Sequence, residues 1–127
     1  MLIQSKNVLC FTEREEEFAD LLTRIGIKRN ISKVLVYLAN TLETTSRDIE
    51  RGTDLRPPDV SMAMTAMIEQ NWVESREKSG GKEGRPVKIY KLALPISEIM
   101  DNIARDKKAE VNNQLKMIKQ LRDYVAI

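Results

Sequence analysis

The chain contains no histidine and one cysteine, and both shortages exclude kinds of chemistry. Zinc sites are built mainly from cysteine and histidine, and most nucleophilic catalysts pair a serine or cysteine with a histidine base. The single cysteine, Cys10, rules out an internal disulfide framework and fits a reducing cytoplasm. The sequence therefore argues against an enzyme, and we expect no metal or other cofactor in a cytoplasmic protein.

Long apolar runs are absent as well. No segment approaches the roughly 20 apolar residues that span a bilayer. Gln4, Ser5 and Lys6 stand where a secretory signal would have its apolar stretch. We therefore expect no membrane partner. The 127 residues, with an apolar fraction of 42%, are enough for one ordinary domain with a core.

A strong excess of charge is the third absence, since the formal net charge is only +2. A value this small does not by itself indicate a nucleic-acid partner. The distribution is more informative, because six basic residues between Arg76 and Lys91 face only two acidic ones, Glu77 and Glu83. Positive charge is therefore concentrated on one short segment.

The middle of the chain predicts a helix that begins at two prolines. Pro57 and Pro58 suit a first helical turn, Pro58 being a good first residue, and Asp59 suits the positive end of the helix dipole. Asn71 can adopt the left-handed backbone conformation with which a helix often ends. The apolar stripe between these signals has helical spacing and consists of Val60, Ala63, Met64 and Met67, widened by Ile68.

A ribbon follows this helix and a short helix precedes it. Residues 72 to 78 and 87 to 92 read as two strands around a glycine-rich tip that carries Lys82 and Arg85. Upstream, Thr44 and Thr45 predict a brief strand, and Thr45 or Ser46 caps a short helix joined to the longer one by a tight turn. This order is typical of a winged helix-turn-helix. Its predicted core is Ile49, Leu55, Val60 and Met67.

Two more helices are predicted near the N-terminus. Thr12 and Glu15 form a capping box for the first, and Gly26 ends it. The second begins near Asn30 or Ser32. The predicted buried residues are Phe18, Leu21, Leu22 and Ile25 in the first helix and Ile31, Val34, Leu35 and Leu38 in the second.

The residues after Pro95 predict a single long helix that begins near Ile96. About 30 residues at 1.5 Å each would reach about 45 Å. Heptad spacing defines a seam, which Lys107 and Gln114 either weaken or fix in register. The seam's apolar members, predicted to form a homodimer interface, are Met100, Ala104, Val111, Ile118, Leu121 and Val125.

The prediction is therefore a mainly α fold with a small β-wing (α+β). Residues 1 to 94 form a winged helix-turn-helix domain, and residues 95 to 127 form a C-terminal dimerisation helix. Two arrangements of that helix stay open, because it can pair in parallel or antiparallel fashion. The seam can also fold back on the first helix within the monomer.

Three segments carry a resemblance to a known family: TDLRPPDVS at residues 53 to 61, IEQNWV at 68 to 73 and GRPVKIY at 84 to 90. Together they resemble the winged-helix transcriptional regulators of the MarR and TrmB-like group, in particular archaeal members. The resemblance implies a homodimer on double-stranded DNA. Each recognition helix, residues 57 to 70, would lie in a major groove, with each basic wing, residues 78 to 88, at a minor groove. Such folds can also hold a small-molecule effector, but no residue set names one here.

By position, the resemblance brings the exposed residues of the recognition helix to the groove: Pro58, Asp59, Ser61, Met62 and Thr65. Family members often carry Arg, Gln or Lys on this face, whereas this chain has Ser61, Met62 and Thr65 there, and Asp59 would repel phosphate. This favours backbone binding over base-specific readout. The predicted backbone-binding and wing residues are Arg47, Arg51, Arg56, Lys78, Lys82, Arg85 and Lys88, with Arg85 assigned to the minor groove.

A winged-helix protein-interaction module of the transcription machinery is the alternative. The weak charge of residues 57 to 70 favours it, whereas the basic ribbon favours DNA. Some of these residues also have plainer interpretations: Lys82 and Arg85 as a solvated hairpin tip, and Ser61 and Thr65 as ordinary surface. Met62, Met64 and Met67 can be core and surface filler or can line an effector pocket, and Cys10 can be a small buried hydrophobe or a redox sensor.

Overall fold

The fold is described from a computed structural model, which covers residues 11 to 79 and 84 to 126. It is mainly α with a two-stranded antiparallel ribbon, as predicted. Contacts divide the chain into two compact units, Met1–Leu94 and Pro95–Ile127. Cys10 and Lys82 lie outside the described residues. The elements in chain order are α1 (Glu13–Arg24), α2 (Arg29–Ala39), α3 (Ser46–Thr53), α4 (Pro57–Glu69), β1 (Val73–Lys78), β2 (Val87–Leu92) and α5 (Ile96–Val125).

Helix α1 begins at the predicted capping box. The Glu15 backbone N–H donates to Thr12 Oγ1 at 3.2 Å, and the Thr12 N–H donates to Glu15 Oε1 at 2.8 Å. These bonds satisfy donors that have no partner within the helix. The helix stops before Gly26, whose φ of 110° is unfavourable for other residues.

The predicted buried face of α1 is wrong in part. Leu22 is buried, but Leu21 and Ile25 are 57% and 47% exposed. Helix α1 packs against α2, and its buried stripe is Glu15, Ala19 and Leu22. The small Ala19 occupies the middle of that stripe, so the covered face is rotated away from the larger apolar residues.

Helix α2 is the centre of the first unit. Residues 34 to 38 are all buried, because α2 contacts α1, α3 and α4. From α4, the four predicted stripe residues Val60, Ala63, Met64 and Met67 are buried, as is Ile49 of α3. Leu55 is half-buried, and Ile68 is exposed instead of widening the stripe.

The two helices of the helix-turn-helix start and end at recognisable signals. Thr45 caps α3, its Oγ1 accepting the Asp48 backbone N–H at 3.2 Å. A left-handed Asp54 follows α3, with φ at 56°. Helix α4 begins at Pro57, so Pro57 and not Pro58 is its first residue. Asn71 ends it with φ at 63°, as predicted.

The ribbon pairs from Val73 opposite Leu92 to Lys78 opposite Val87. Val73 and Tyr90 are buried on one face of it, whereas Ile89 lies on the opposite face. Thr44 joins the free edge of β2 through two backbone hydrogen bonds with Tyr90, at 2.8 and 2.9 Å. The brief strand predicted at Thr44 is therefore a single bridge.

Helix α5 is 30 residues long, which confirms the long C-terminal helix. Ile99 and Ile103, next to the predicted seam, are buried, and Met100 is half-buried. Among the described residues, no helix combines the length and apolar character needed to cross a membrane. The other predicted seam residues are exposed, namely Ala104, Val111, Ile118, Leu121 and Val125.

Candidate nucleic-acid interface

The outward face of α4 carries small and apolar side chains. Pro58, Ser61, Met62 and Thr65 are exposed, Met62 by 69%. The Thr65 hydroxyl donates to the Ser61 carbonyl oxygen at 3.0 Å. That bond occupies the hydroxyl's one proton, so Thr65 has no donor left for a base. Residues 57 to 69 also contain no lysine or arginine, so the face itself has no cation.

Arg56 lies immediately before α4 and is paired with an acidic neighbour. Its Nε donates to Asp59 Oδ2 at 3.2 Å, while the Arg56 side chain stays largely exposed. An exposed pair of this kind contributes little to stability. It does compensate the Asp59 charge that would otherwise repel a phosphate at the start of the helix.

Two more cations lie on α3. Arg47 and Arg51 are exposed and four residues apart, so they share one side of the helix. Neither makes an ion pair within the described residues. Both are therefore available to an anionic partner.

Two basic residues of the ribbon are neutralised by acidic partners. Arg76 Nη2 donates to Glu43 Oε2 at 2.5 Å, and Lys91 Nζ lies 3.4 Å from Glu74 Oε1. Glu43 is 33 residues from Arg76 in the chain, and Glu74 lies two residues before it. Both therefore lie outside the basic segment from residue 76 to residue 91. The basic excess of the ribbon is therefore smaller than the sequence count indicated.

The environment of Glu43 is positive enough to change its acidity. The hydrogen bond from Arg76 lowers the pKa of Glu43, and the charges of Arg76, Lys91 and Lys78 lower it further, against a smaller opposing effect of desolvation. Sequence reasoning missed this residue. The pairing depends on Thr44 lying beside Tyr90, and no local pattern signals that contact.

The remaining ribbon cations form what we call the wing cluster: Lys78, Arg85 and Lys88. All three are exposed, and none makes an ion pair within residues 11 to 79 and 84 to 126. Lys78 and Val87 form the last pair of the ribbon, so the cluster lies at its tip end. Positive charge therefore exceeds negative charge there, although Glu77 lies opposite Lys88 and the Lys78 charge helps to lower the pKa of Glu43.

Cofactor chemistry finds no support in the described part of the chain. No group of three or more histidine, cysteine, aspartate or glutamate residues there could hold a metal ion. Two shallow concavities lie along α5, one beside Asp106 and Lys116 and one beside Lys107 and Val111. Both are open to solvent and do not identify an effector.

Comparison with solved structures defines the class by its fold, a winged helix-turn-helix with a long C-terminal helix. The chain is similar to TrmBL2, described as an archaeal chromatin protein with a novel mode of DNA binding. The similarity covers 87% of this chain and 40% of that one, with 12% identity and a TM-score of 0.67. The chain therefore spans less than half the length of TrmBL2.

Two further structures match over nearly their whole length. One is a possible transcriptional regulator from Methanosarcina mazei Go1, covering 87% of this chain and 97% of that one, with 14% identity and a TM-score of 0.57. The other is NadR in complex with 4-hydroxyphenylacetate, covering 98% and 97%, with 15% identity and a TM-score of 0.55. Neither a protein-family model nor a curated protein matches the sequence. At these identities the similarity establishes the fold, and it confirms the predicted winged-helix class.

Proposed function

We propose that this chain is a transcriptional regulator that binds double-stranded DNA as a homodimer. The observation that carries the proposal is the wing cluster, which presents three exposed cations directly after a helix-turn-helix. The similarity to TrmBL2 and to the possible regulator from Methanosarcina mazei supports the same role.

In this proposal the helix-turn-helix docks in the major groove. Helix α4 enters the groove with its N-terminus first, where the positive end of its dipole favours phosphate. Arg47, Arg51 and Arg56 contact the DNA backbone, which sets register and orientation. The wing cluster follows the backbone to the minor groove, with Arg85 inserted into it.

The homodimer places two such domains on one duplex. Helix α5 is the proposed dimerisation element, because four of its seam residues are apolar and exposed, namely Val111, Ile118, Leu121 and Val125. Two recognition helices would then read half-sites one helical turn apart, about 34–36 Å. NadR is described in complex with 4-hydroxyphenylacetate, and we therefore include a small-molecule effector among the proposed partners.

The test is binding of a fluorescent random-sequence duplex at several salt concentrations. We expect affinity to fall with salt, because bound cations release counterions from phosphate. The double variant Arg85→Ala and Lys88→Ala should bind more weakly, with a salt slope smaller by about two if each residue contacts one phosphate.

A matched control removes the same charge elsewhere. Lys116→Ala together with Lys119→Ala deletes two cations from α5 and should leave the salt slope unchanged. Equal losses in both double variants would contradict a specific role for the wing cluster and indicate a general effect of net charge.

A protein-interaction module is the second candidate. Residues 46 to 70, which contain α3 and α4, carry five acidic and three basic side chains, a balance that suits a protein partner better than phosphate. Absence of DNA binding at low salt would overturn the DNA proposal in favour of this one.

A further inference from the structure

One exposed side of α4 carries mainly apolar groups, with the Ser61 hydroxyl among them. Pro58, Met62 and Thr65 are spaced by four and three residues, so they lie on one side of the helix. All three are exposed, and Met62, at 69%, is the most exposed large apolar side chain of the helix. Thr65 donates its hydroxyl proton to the Ser61 carbonyl, so it offers a ligand its methyl group and an acceptor oxygen, but no donor. We call these three residues the methyl face.

The methyl face lacks the side chains that read purines. Guanine is read by arginine or lysine and adenine by asparagine or glutamine, but residues 57 to 69 contain none of the four. Ser61 does have a free hydroxyl, yet serine pairs with several bases and discriminates little. Asp59 accepts from Arg56 through Oδ2, and only its other carboxylate oxygen is left to accept from cytosine. Hydrogen bonds from this helix therefore supply little sequence discrimination.

We propose that the methyl face recognises the C5-methyl groups of thymine in the major groove, with Met62 as the principal contact. The inference rests on the proposed DNA-binding function. Thymine is the one natural base that presents an apolar group in this groove, and apolar side chains are its usual contacts. Methionine suits the role, because its flexible and polarisable side chain adapts to irregular apolar surfaces. The preferred ligand is then duplex DNA rich in A·T pairs, selected by methyl contact.

The size of the effect follows from the area involved. Burial of one methyl or methylene group corresponds to about a fourfold change in affinity. A homodimer would make the contact twice, so loss of both methyl groups should weaken binding by roughly an order of magnitude.

The experiment compares two A·T-rich duplexes that differ only in deoxyuridine for thymidine. Uracil lacks the C5-methyl group and keeps every hydrogen-bonding atom. We expect the wild-type chain to bind the thymine duplex about fourfold to tenfold more tightly. A second arm replaces cytosine by 5-methylcytosine in a G·C-rich duplex, and this added methyl group should raise affinity.

Three variants assign the effect to a residue. Met62→Ser should abolish the preference for thymine, and Met62→Leu, which keeps an apolar side chain, should retain it. Leu42→Ser is the matched control, because Leu42 is an exposed apolar residue that lies outside α4. It should leave the preference unchanged. Circular dichroism checks that each variant is folded.

The possible outcomes distinguish failure of methyl recognition from failure of the proposed DNA binding. Tight, salt-dependent binding with equal affinity for thymine and uracil duplexes would overturn methyl recognition and leave DNA binding intact. A preference that persists in Met62→Ser would overturn the assignment to Met62 and point to DNA shape. No binding to any duplex at low salt would overturn the proposed function itself.

Discussion

Glu43 joins the loop between α2 and α3 to the ribbon. Its carboxylate accepts from Arg76 on β1, and its neighbour Thr44 is bonded to Tyr90 on β2. These contacts tie both strands to the helix-turn-helix. They also neutralise one cation of the wing, which reduces the positive surface available in the proposed DNA complex.

Glu43→Gln should remove a pH-dependent contribution to the stability of the fold. Because the pKa of Glu43 is lowered in the folded chain, its stabilising contribution is present above the usual value of 4.5 and is lost as pH falls through the folded value. The variant should therefore be less stable than the wild type at pH 7, and the difference should shrink as the pH falls below 4.5 and through the folded pKa. Urea unfolding at pH 7 and at a series of lower pH values measures this.

The same variant should strengthen DNA binding although it lowers stability. A neutral amide in place of the Glu43 carboxylate would no longer neutralise Arg76, so binding to random duplex DNA at low salt should become tighter. Glu17→Gln is the matched control, since it removes one exposed carboxylate from α1. If both variants changed stability and DNA affinity equally, the Glu43–Arg76 pair would have no specific role.

At the scale of elements, the approach of α3 to α2 depends on Gly52. A Cβ at this position would overlap the ring of Tyr37, which is buried in α2. Glycine within a helix is otherwise unfavourable by about 0.5–1 kcal/mol relative to alanine. Close packing is therefore the physical reason for glycine here, and it sets the distance between α2 and the helix-turn-helix.

Gly52→Ala should destabilise the fold by about 1–3 kcal/mol, because steric overlap outweighs the gain in helix propensity. Urea unfolding followed by circular dichroism measures the change. Gly84→Ala is the control: no atom lies within 4 Å of the added Cβ, so only the strain of its φ of 73° remains, about 1–2 kcal/mol. Stability of Gly52→Ala at or above the wild-type level would show that the helices tolerate a wider spacing.

At the scale of the whole molecule, α5 carries more exposed apolar surface than its predicted seam. Leu115 and Met117 are exposed beside the seam residues, and Leu121 is 63% exposed. Lys107, a polar member of the seam, pairs with Glu110 of the same helix at 2.9 Å. Its charge is thus compensated without a partner chain. A broad apolar surface of this kind is typical of an interaction site.

Ile118→Asp should convert the proposed dimer into a monomer, because a carboxylate would be buried in the helix pair without a partner. Light scattering measures the mass, and DNA affinity should fall by about a hundredfold as the second half-site is lost. Asn112→Asp adds the same charge to α5 at a position outside the seam and should remain dimeric. A monomeric wild-type chain at micromolar concentration would contradict the dimer.

Local signals in the sequence determined most of the helices and the wing. The capping box at Thr12 and Glu15, the proline start of α4 and the left-handed Asn71 all depend on interactions within a few residues. The stripe from Val60 to Met67 is equally local, since a helix repeats every 3.6 residues whatever packs against it. The winged-helix class followed from the order of these elements, and the comparisons confirm it. The DNA-binding and dimerisation residues remain predictions.

Only the tertiary structure decided which surfaces these elements cover and which charges remain. It turned Leu21 and Ile25 of α1 outward, buried the face of the ribbon that carries Tyr90 rather than the face that carries Ile89, and paired Arg76 with Glu43. Each outcome depends on contacts between residues distant in the chain. Helical and strand periodicities define which residues share a face, but the neighbouring element determines whether that face is buried, exposed or neutralised.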